Sequence, residues 1–351
     1  MLHAPHEVTQ KLTPSLPFGA SFRAGPFAFE PRTSMVPATH KTGLEYGGGI
    51  VGGNDMDVTE GYLPYLGFRT YYRIVGSLDA PKPPLVLLHG GPGSTHNYFE
   101  LLDRVAETGR AVVMYDQLGC GKSWDDAMAD HPELWTYATW DGELIALREE
   151  LGLSTCHLLG QSWGGMLAIE YLVNYRPEGI RSVVLSSSLP ACWLWGEEQH
   201  RQMRYLPADE RAAIAEGERT GRYDSPAFRA AQDHYMTLFC SGPASPDDPE
   251  CLRRPKRAGR ESYLATQGDN EFSPTGIFST WDYLDRIREI VQPTLIVSGT
   301  DDLCTPRIAK SMADRIPNAR WELMTGCRHM CFADDTEGYV ALLEAWLAEH
   351  D

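Results

Sequence analysis

The chain has 351 residues, of which 42% are hydrophobic and 23% are charged, an ordinary composition for a globular protein with a large core. Its formal net charge of −17 provides no attractive field for nucleic acid or for an anionic membrane, so we expect neither as a partner. The eight cysteines are too scattered for a disulfide scaffold, and we interpret them as reduced thiols.

The amino-terminal region shows no sign of a targeting segment. It lacks a cationic start followed by an apolar stretch, and no run in the chain approaches membrane-spanning length. A cytoplasmic protein is therefore predicted. Residues 1–58 are rich in Gly, Pro, Ser and Thr and show little periodicity, so we expect an irregular extension there rather than part of the core.

The first clear strand signal is residues 68–75, whose alternating pattern is typical of an edge strand. Short apolar runs then indicate buried strands, and helix-type segments lie between most of them. This order predicts a mostly parallel sheet with helices on both faces. The runs fall at residues 85–89, 111–115, 157–160, 183–187, 294–298 and 321–324.

Residues 188–293 separate two successive strand runs, whereas a simple crossover needs on the order of a dozen residues. The stretch is rich in aromatic residues and helix-type sequence, at residues 197–205, 208–216 and 226–239. We therefore predict that residues 189–285 form a helical cap over the carboxyl edge of the sheet and shape a substrate pocket. Residues 59–188 and 286–351 would form the core.

A glycine-rich turn follows the first buried strand run, because residues 89–93 read His-Gly-Gly-Pro-Gly. Glycines leave backbone N–H groups free to approach a developing negative charge. Gly91 is therefore predicted to supply one amide of an oxyanion hole; the alternative is a merely flexible turn.

Residues 160–164 read Gly-Gln-Ser-Trp-Gly and lie between a strand-type run and a helix-type run. This context is typical of a nucleophile elbow, a strained strand-to-helix turn that exposes a serine at the carboxyl edge of a sheet. Ser162 is the predicted nucleophile. The backbone N–H of Trp163, the next residue, is the predicted second oxyanion donor.

A carboxylate and a histidine follow downstream in the order that such serine enzymes use. Asp301 and Asp302 come just after the strand run at residues 294–298, although an acidic pair there could also cap a helix. His329 lies on a predicted loop before a final helix at residues 336–350 and is the predicted general base.

Two other interpretations of these segments are disfavoured. His329 could bind a metal with the nearby cysteines Cys327 and Cys331, but zinc needs three or four ligands and no second Cys/His pair has suitable spacing, so no metal is predicted. Residues 116–123 end in Gly-Lys-Ser, but a phosphate loop needs glycine where this chain has Asp116. We interpret that segment as a turn packed beside the active site.

Together these motifs resemble the proline iminopeptidase family of serine peptidases, and especially its branch that includes L-amino acid (proline) amide hydrolases. The resemblance runs from about Glu60 to the carboxyl end, and it rests chiefly on residues 89–93 and 160–165. It implies an α/β-hydrolase fold with an inserted helical cap and no cofactor. It also implies a triad in which Ser162 and His329 are joined by Asp302, because the family's Gly-x-x-Asp pattern falls on that residue.

The resemblance further implies how a substrate is held. Asn-Glu-Phe at residues 270–272 matches the cap segment in which the family places a glutamate that binds the free α-amino group, so Glu271 is the predicted ligand. The family often has a second cap glutamate, but its place here is taken by Ala230. Asp233, one turn further along, is the predicted substitute, and the departure leaves the preference for proline open.

The predicted function is a serine hydrolase that releases an amino-terminal residue, proline or another small or apolar one, from short peptides or amino acid amides. The nearest alternative is an esterase, lactonase or general amidase that uses the same groups without recognising a free amine. A remote alternative is a non-catalytic ligand receptor on the same fold.

Overall fold

The computed structural model describes residues 56–351. At its centre lies one sheet of eight strands in the order β1-β2-β4-β3-β5-β6-β7-β8. The pairings β1–β2 and β2–β4 are antiparallel and all others are parallel. The strands are β1 (Val58–Tyr65), β2 (Phe68–Val75), β3 (Leu85–Leu88), β4 (Val112–Tyr115), β5 (Cys156–Gln161), β6 (Ile180–Ser186), β7 (Thr294–Gly299) and β8 (Ala319–Met324).

The mostly parallel sheet predicted from the sequence is confirmed, but the predicted edge strand is wrong. Residues 68–75 form β2, which is paired on both sides, and the edge strand is β1. Strand β1 was not predicted because it contains Gly61 and Pro64, and both residue types are typical of turns. Proline is tolerated there since the outer side of an edge strand has no partner. Because β1 begins at Val58, the predicted irregular extension ends before that residue, and residues 1–55 lie outside the described chain.

The helices cover both faces of the sheet. In β3, Val86 and Leu88 pack into one apolar cluster with α1 and α2, and Leu85 and Leu87 pack into another with α10. Two buried faces explain why the central strands read as continuous apolar runs. The helices are α1 (Tyr137–Glu150), α2 (Trp163–Tyr175), α3 (Cys192–Gln202), α4 (Ala208–Thr220), α5 (Pro226–Phe239), α6 (Glu250–Arg253), α7 (Arg260–Thr266), α8 (Pro306–Ala313), α9 (Cys331–Asp334) and α10 (Thr336–Glu349).

The chain between β6 and β7 contains helices α3 to α7 and no strand within the described residues. An isolated antiparallel bridge between Ala191 and Asp282 joins the two ends of this segment. The segment therefore leaves the sheet and returns to it at the same place. Two of the three helices predicted here begin where expected. The first begins five residues earlier, at Cys192, and its amino-terminal part buries Cys192, Leu194 and Trp195.

The parallel strands β3, β4, β5, β6, β7 and β8 all end at the same edge of the sheet. The loops that follow them therefore converge, as in other parallel sheets of this kind. Among residues 56–351, none of the helices has both the length and the apolar character that crossing a bilayer requires.

Candidate active site

Ser162 occupies the sharp turn between β5 and α2. Its backbone angles are φ 55° and ψ −120°, in a region that residues other than glycine rarely adopt. The flanking glycines are required by close packing: a Cβ on Gly160 would lie 2.2 Å from the Gly164 carbonyl oxygen, and one on Gly164 would lie 1.9 Å from the Leu88 carbonyl oxygen. The turn therefore has the strained geometry of a nucleophile elbow.

Asp302 and His329 meet beside this turn. Nδ1 of His329 lies 2.7 Å from Oδ1 of Asp302, and both side chains are buried. The carboxylate is held in place because it accepts hydrogen bonds from the backbone N–H groups of Cys304, at 2.8 Å, and Gly299, at 3.3 Å. The neighbouring Asp301 is exposed. The structure thus pairs Asp302, and not Asp301, with the histidine.

Ser162 and His329 line one cavity of about 290 Å³, so the three predicted residues converge from the ends of three strands. This volume is at the lower end of the range for small-molecule sites, which indicates a short ligand. Most of the lining is apolar or aromatic, and the charged side chains in it are Glu271 and Lys256. The apolar lining includes Met166, Leu189, Trp195, Met236, Phe278 and Leu303.

Two backbone amides in the cavity that contains Ser162 have the character of oxyanion donors. Gly91, with φ 112°, lies in the turn after β3, and Trp163 is the first residue of α2; both line the cavity. Neither N–H has a hydrogen-bond acceptor among residues 56–351, whereas the N–H of Gly90 donates to the Tyr98 hydroxyl at 2.6 Å. The predicted pair is therefore available to a developing negative charge.

Gln117 links the two segments that carry these amides, a role that the sequence did not indicate. Its Nε2 donates to the carbonyl oxygen of His89 at 2.9 Å, and its Oε1 accepts from the indole N–H of Trp163 at 2.7 Å. The side chain is buried. One amide therefore holds the glycine-rich turn and the start of α2 at a fixed spacing. Two sequence signals pointed to Gln117 indirectly: it lies in the turn already predicted to pack beside the site, and residues 115–119 are among the segments that resemble the family.

Tyr98 and Gln161 make a second link that the sequence did not reveal. The Tyr98 hydroxyl, which accepts from the N–H of Gly90, donates to Oε1 of Gln161 at 3.0 Å. Nε2 of Gln161 in turn approaches the carbonyl oxygen of His329 at 3.4 Å. The turn after β3, the elbow and the histidine loop are thus joined through side chains whose importance only their contacts show.

Glu271 lies in the cavity wall and is half-buried, and its carboxylate forms no ion pair within residues 56–351. Its carboxylate accepts a hydrogen bond from the Tyr263 hydroxyl, its N–H donates to Oε1 of Gln232 at 3.2 Å, and its carbonyl accepts from the Trp195 indole at 3.1 Å. Burial raises the pKa of Glu271 above its ordinary value, against the opposing effects of the Tyr263 hydrogen bond and the nearby His329. A cationic group entering the cavity would meet a carboxylate that lacks an ionic partner.

Asp233 is not brought to the cavity. It lies on the exposed face of α5 and is absent from the lining, as is Ala230 on the same helix. The neighbouring residue, Gln232, is the one whose side chain reaches Glu271. The predicted contact of Asp233 with a substrate amine is therefore corrected: a helix turns about 100° per residue, which directs adjacent side chains to different faces.

Residues 116–123 form the turn after β4, as predicted, and not a phosphate cradle. The buried Asp116 carboxylate accepts from the N–H of His96 and the N–H of Lys122, each at 2.8 Å, and contacts Nδ1 of His96 at 2.7 Å. A carboxylate at the centre of the turn would repel a phosphate.

One group of side chains in the described chain has metal-ligand geometry, Asp302, Cys304 and His329, whose ligand atoms lie within 4.8 Å of one another. It does not include Cys327 or Cys331, the cysteines considered from the sequence. Burial, followed by the charge of Asp302, raises the pKa of the Cys304 thiol well above its usual value. The carboxylate of this group is already engaged, since Asp302 contacts Nδ1 of His329 at 2.7 Å and accepts from the N–H of Cys304 at 2.8 Å.

A parallel sheet with an elbow serine after β5, a carboxylate after β7 and its histidine after β8 defines the α/β hydrolases. A family model described as the alpha/beta hydrolase fold matches residues 83–336. Comparison with curated and solved proteins identifies the family within this class.

A proline iminopeptidase of Clostridium botulinum is 55% identical over 296 residues, which cover 84% of this chain and all of the relative. The crystal structure of a Mycobacterium smegmatis proline iminopeptidase aligns with a TM-score of 0.71 at 30% identity, covering 83% of this chain and 98% of that one. The crystal structure of VinJ aligns with a TM-score of 0.76 at 29% identity, covering 84% and 99%. This chain belongs to the proline iminopeptidase family of α/β hydrolases. The resemblance found in the sequence is thereby confirmed at the level of the family, and the amide hydrolase branch stays a prediction.

Proposed function

We propose that this protein is a serine aminopeptidase that releases an amino-terminal residue, proline or another small or apolar residue, from short peptides or amino acid amides. The observation that carries the proposal is the carboxylate of Glu271 in the same small cavity as Ser162 and His329. The names of relatives about half identical to this chain support it.

In the first half of the reaction, the Ser162 hydroxyl attacks the carbonyl carbon of the first residue while His329 takes its proton. Asp302 holds the imidazole through Nδ1 and stabilises the imidazolium. The carbonyl oxygen becomes an oxyanion that the N–H groups of Gly91 and Trp163 stabilise.

In the second half, His329 gives its proton to the departing amine, the C–N bond breaks and an acyl-enzyme remains on Ser162. Water then attacks the ester while His329 takes a proton from it, and collapse of the second tetrahedral intermediate returns that proton to the serine. The cycle releases a free amino acid and requires no metal or organic cofactor.

Glu271 would determine that the enzyme acts from the amino terminus. A carboxylate in a partly dry cavity is a charge-assisted partner for the ammonium of a terminal residue. The small apolar cavity would accept proline or another compact side chain beside it. An internal peptide bond offers no such cation and would leave the carboxylate buried and unpaired, at a cost in binding.

We also propose that residues 189–285 act as a cap. Helix α3 contacts the loop that carries the catalytic acid: Nε2 of Gln202 donates to the carbonyl of Asp302, and Nε2 of Gln199 donates to the carbonyl of Leu303, both at 2.9 Å. The segment therefore both supplies Glu271 and supports the triad. The cytoplasmic location remains a prediction from the sequence.

The test is turnover of prolyl and alanyl p-nitroanilides, their N-acetylated forms and an aryl acetate ester by wild type and Ser162→Ala. We expect the free aminoacyl anilides to be cleaved, the acetylated forms to be cleaved at least tenfold more slowly, and Ser162→Ala to lose at least about 10³-fold in kcat. Equal kcat/KM for free and acetylated substrates would favour the esterase or general amidase alternative, and binding without turnover would favour the receptor.

A further inference from the structure

Two charged side chains line the cavity, and only one of them has a role in the proposed function. Glu271 is half-buried in the wall, while Lys256 lines the same cavity but is exposed, which places it at the mouth. The two side chains form no ion pair with each other within 4.0 Å. Of the lining residues, these two alone are Asp, Glu, Lys or Arg. The cavity thus presents one carboxylate and one ammonium that are not paired with each other.

The backbone next to Lys256 is fixed to the glycine-rich turn that carries Gly91. The carbonyl of Arg257 accepts from the N–H of Gly121 at 2.8 Å, and the N–H of Gly259 donates to the carbonyl of Gly93 at 2.7 Å. A Cβ on Gly259 would lie 2.8 Å from the Gly93 Cα, so the two backbones are in direct contact. Lys256 is therefore held beside the oxyanion turn by its own segment.

The ammonium of Lys256 has a defined neighbour but no anionic partner. Its Nζ lies 5.8 Å from the ring centroid of Tyr98, the residue whose hydroxyl accepts from the N–H of Gly90. Within residues 56–351 it makes no ion pair or hydrogen bond, whereas the nearby cations Arg254 and Arg257 each pair with a glutamate.

We propose that Lys256 binds the carboxyl-terminal carboxylate of the substrate, so that the natural substrates are dipeptides and other very short peptides with a free carboxylate. The inference rests on the proposed function. With the amine at Glu271 and the scissile carbonyl at Ser162, the departing part of the substrate extends toward the mouth of the cavity. A zwitterionic dipeptide then matches both charged side chains, and the carboxylate gains the partner that the ammonium lacks.

The experiment compares kcat/KM for three substrates: Pro-Gly, its amide Pro-Gly-NH2, and prolyl p-nitroanilide, which has no carboxylate. They are assayed with wild type, Lys256→Met, Lys256→Arg and the control Arg253→Met, which removes an exposed cation of the same segment outside the cavity. We expect Lys256→Met to lower kcat/KM for Pro-Gly about fivefold to thirtyfold and to change the other two substrates less than about twofold. Lys256→Arg should retain most of the preference, and Arg253→Met all of it.

The prolyl p-nitroanilide separates the possible failures. If wild type cleaves it but Lys256→Met lowers Pro-Gly and Pro-Gly-NH2 equally, or neither, the assignment of Lys256 is overturned while the proposed function stands. If wild type cleaves none of the three, the proposed function fails and the inference with it. Retained cleavage of the anilide by Lys256→Met also shows that the variant is folded.

Discussion

The catalytic edge of the sheet and the inserted segment at residues 189–285 hold their functional groups by different means. At the edge, Ser162 is positioned by the backbone angles of its turn, and Asp302 by two backbone N–H groups. In the insertion, Glu271 is positioned by the side chains of Tyr263 and Gln232. The catalytic groups are thus positioned largely by the backbone of the fold, with Gln117 and Gln161 as side-chain supports. The group proposed to select the substrate is positioned by side chains of the insertion.

The largest effect is expected at the catalytic edge, from Asp302→Asn. The amide keeps the size of the carboxylate but cannot stabilise an imidazolium and favours the wrong tautomer of His329, so kcat should fall about 10⁴-fold for all substrates. The matched control is Asp301→Asn, which changes an exposed neighbour and should stay within about twofold of wild type. A large loss in the control variant would contradict the assignment of Asp302.

The difference between groups positioned by the backbone and groups positioned by side chains also explains which functional residues could be predicted from the sequence. Ser162 and Gly91 could be predicted because strained turns require glycine at fixed neighbouring positions, which leaves a pattern in the chain. The catalytic acid could be narrowed to Asp301 or Asp302 by its place after a strand, and the family resemblance decided between them. Glu271 was found only through that resemblance, since an acidic residue in this chain is not distinctive. Gln117 and Lys256 left no local pattern, because their contacts join segments far apart in sequence.

Asp233 shows the limit of spacing arguments within the insertion. One turn along a helix is a sound rule for adjacency, but it does not tell which face of α5 meets the cavity. Strand β1 was missed for a related reason, because its glycine and proline are compatible with an edge position that only the completed sheet defines.

The next largest effect is expected in the insertion, from Glu271→Gln. Loss of the charge should lower kcat/KM for prolyl p-nitroanilide about tenfold to hundredfold and leave the N-acetylated substrate unchanged within about twofold. Since burial raises the pKa of Glu271, the carboxylate is neutralised at higher pH than an ordinary glutamate as the solution is acidified. Wild-type kcat/KM should therefore fall through that pKa as pH decreases, and this component should be absent from the variant's pH profile. An equal loss with both substrates would mean that Glu271 supports the structure and does not bind the amine.

A smaller effect is expected at the catalytic edge, from Gln117→Leu. The substitution keeps the volume approximately but leaves the His89 carbonyl and the Trp163 indole without their partner. Because the glycine-rich turn and α2 would no longer be held at a fixed spacing, kcat should fall about tenfold, less than for loss of an oxyanion donor itself. KM should change less than about twofold, since Gln117 does not line the cavity. A rise in KM with unchanged kcat would contradict this positioning role.

The smallest effect on catalysis is expected from a substitution of Asp141, a core residue on α1 that lies outside the cavity. This substitution should change stability without changing activity. Asp141 is buried, its Oδ1 has no partner within residues 56–351, and burial together with the charge of Glu170 raises its pKa to about 8. An unfolded chain binds this proton only below about pH 4, so the native state holds the extra proton between about pH 4 and 8. Its contribution to the unfolding free energy is therefore greatest at low pH and is lost as pH rises, by up to about 1.4 kcal/mol per pH unit.

Asp141→Asn should flatten the fall of Tm over this range without changing kcat/KM, whereas exposed Asp130→Asn should reproduce the wild-type curve. Parallel Tm curves for wild type and Asp141→Asn would show that this carboxyl group is not protonated in the native core.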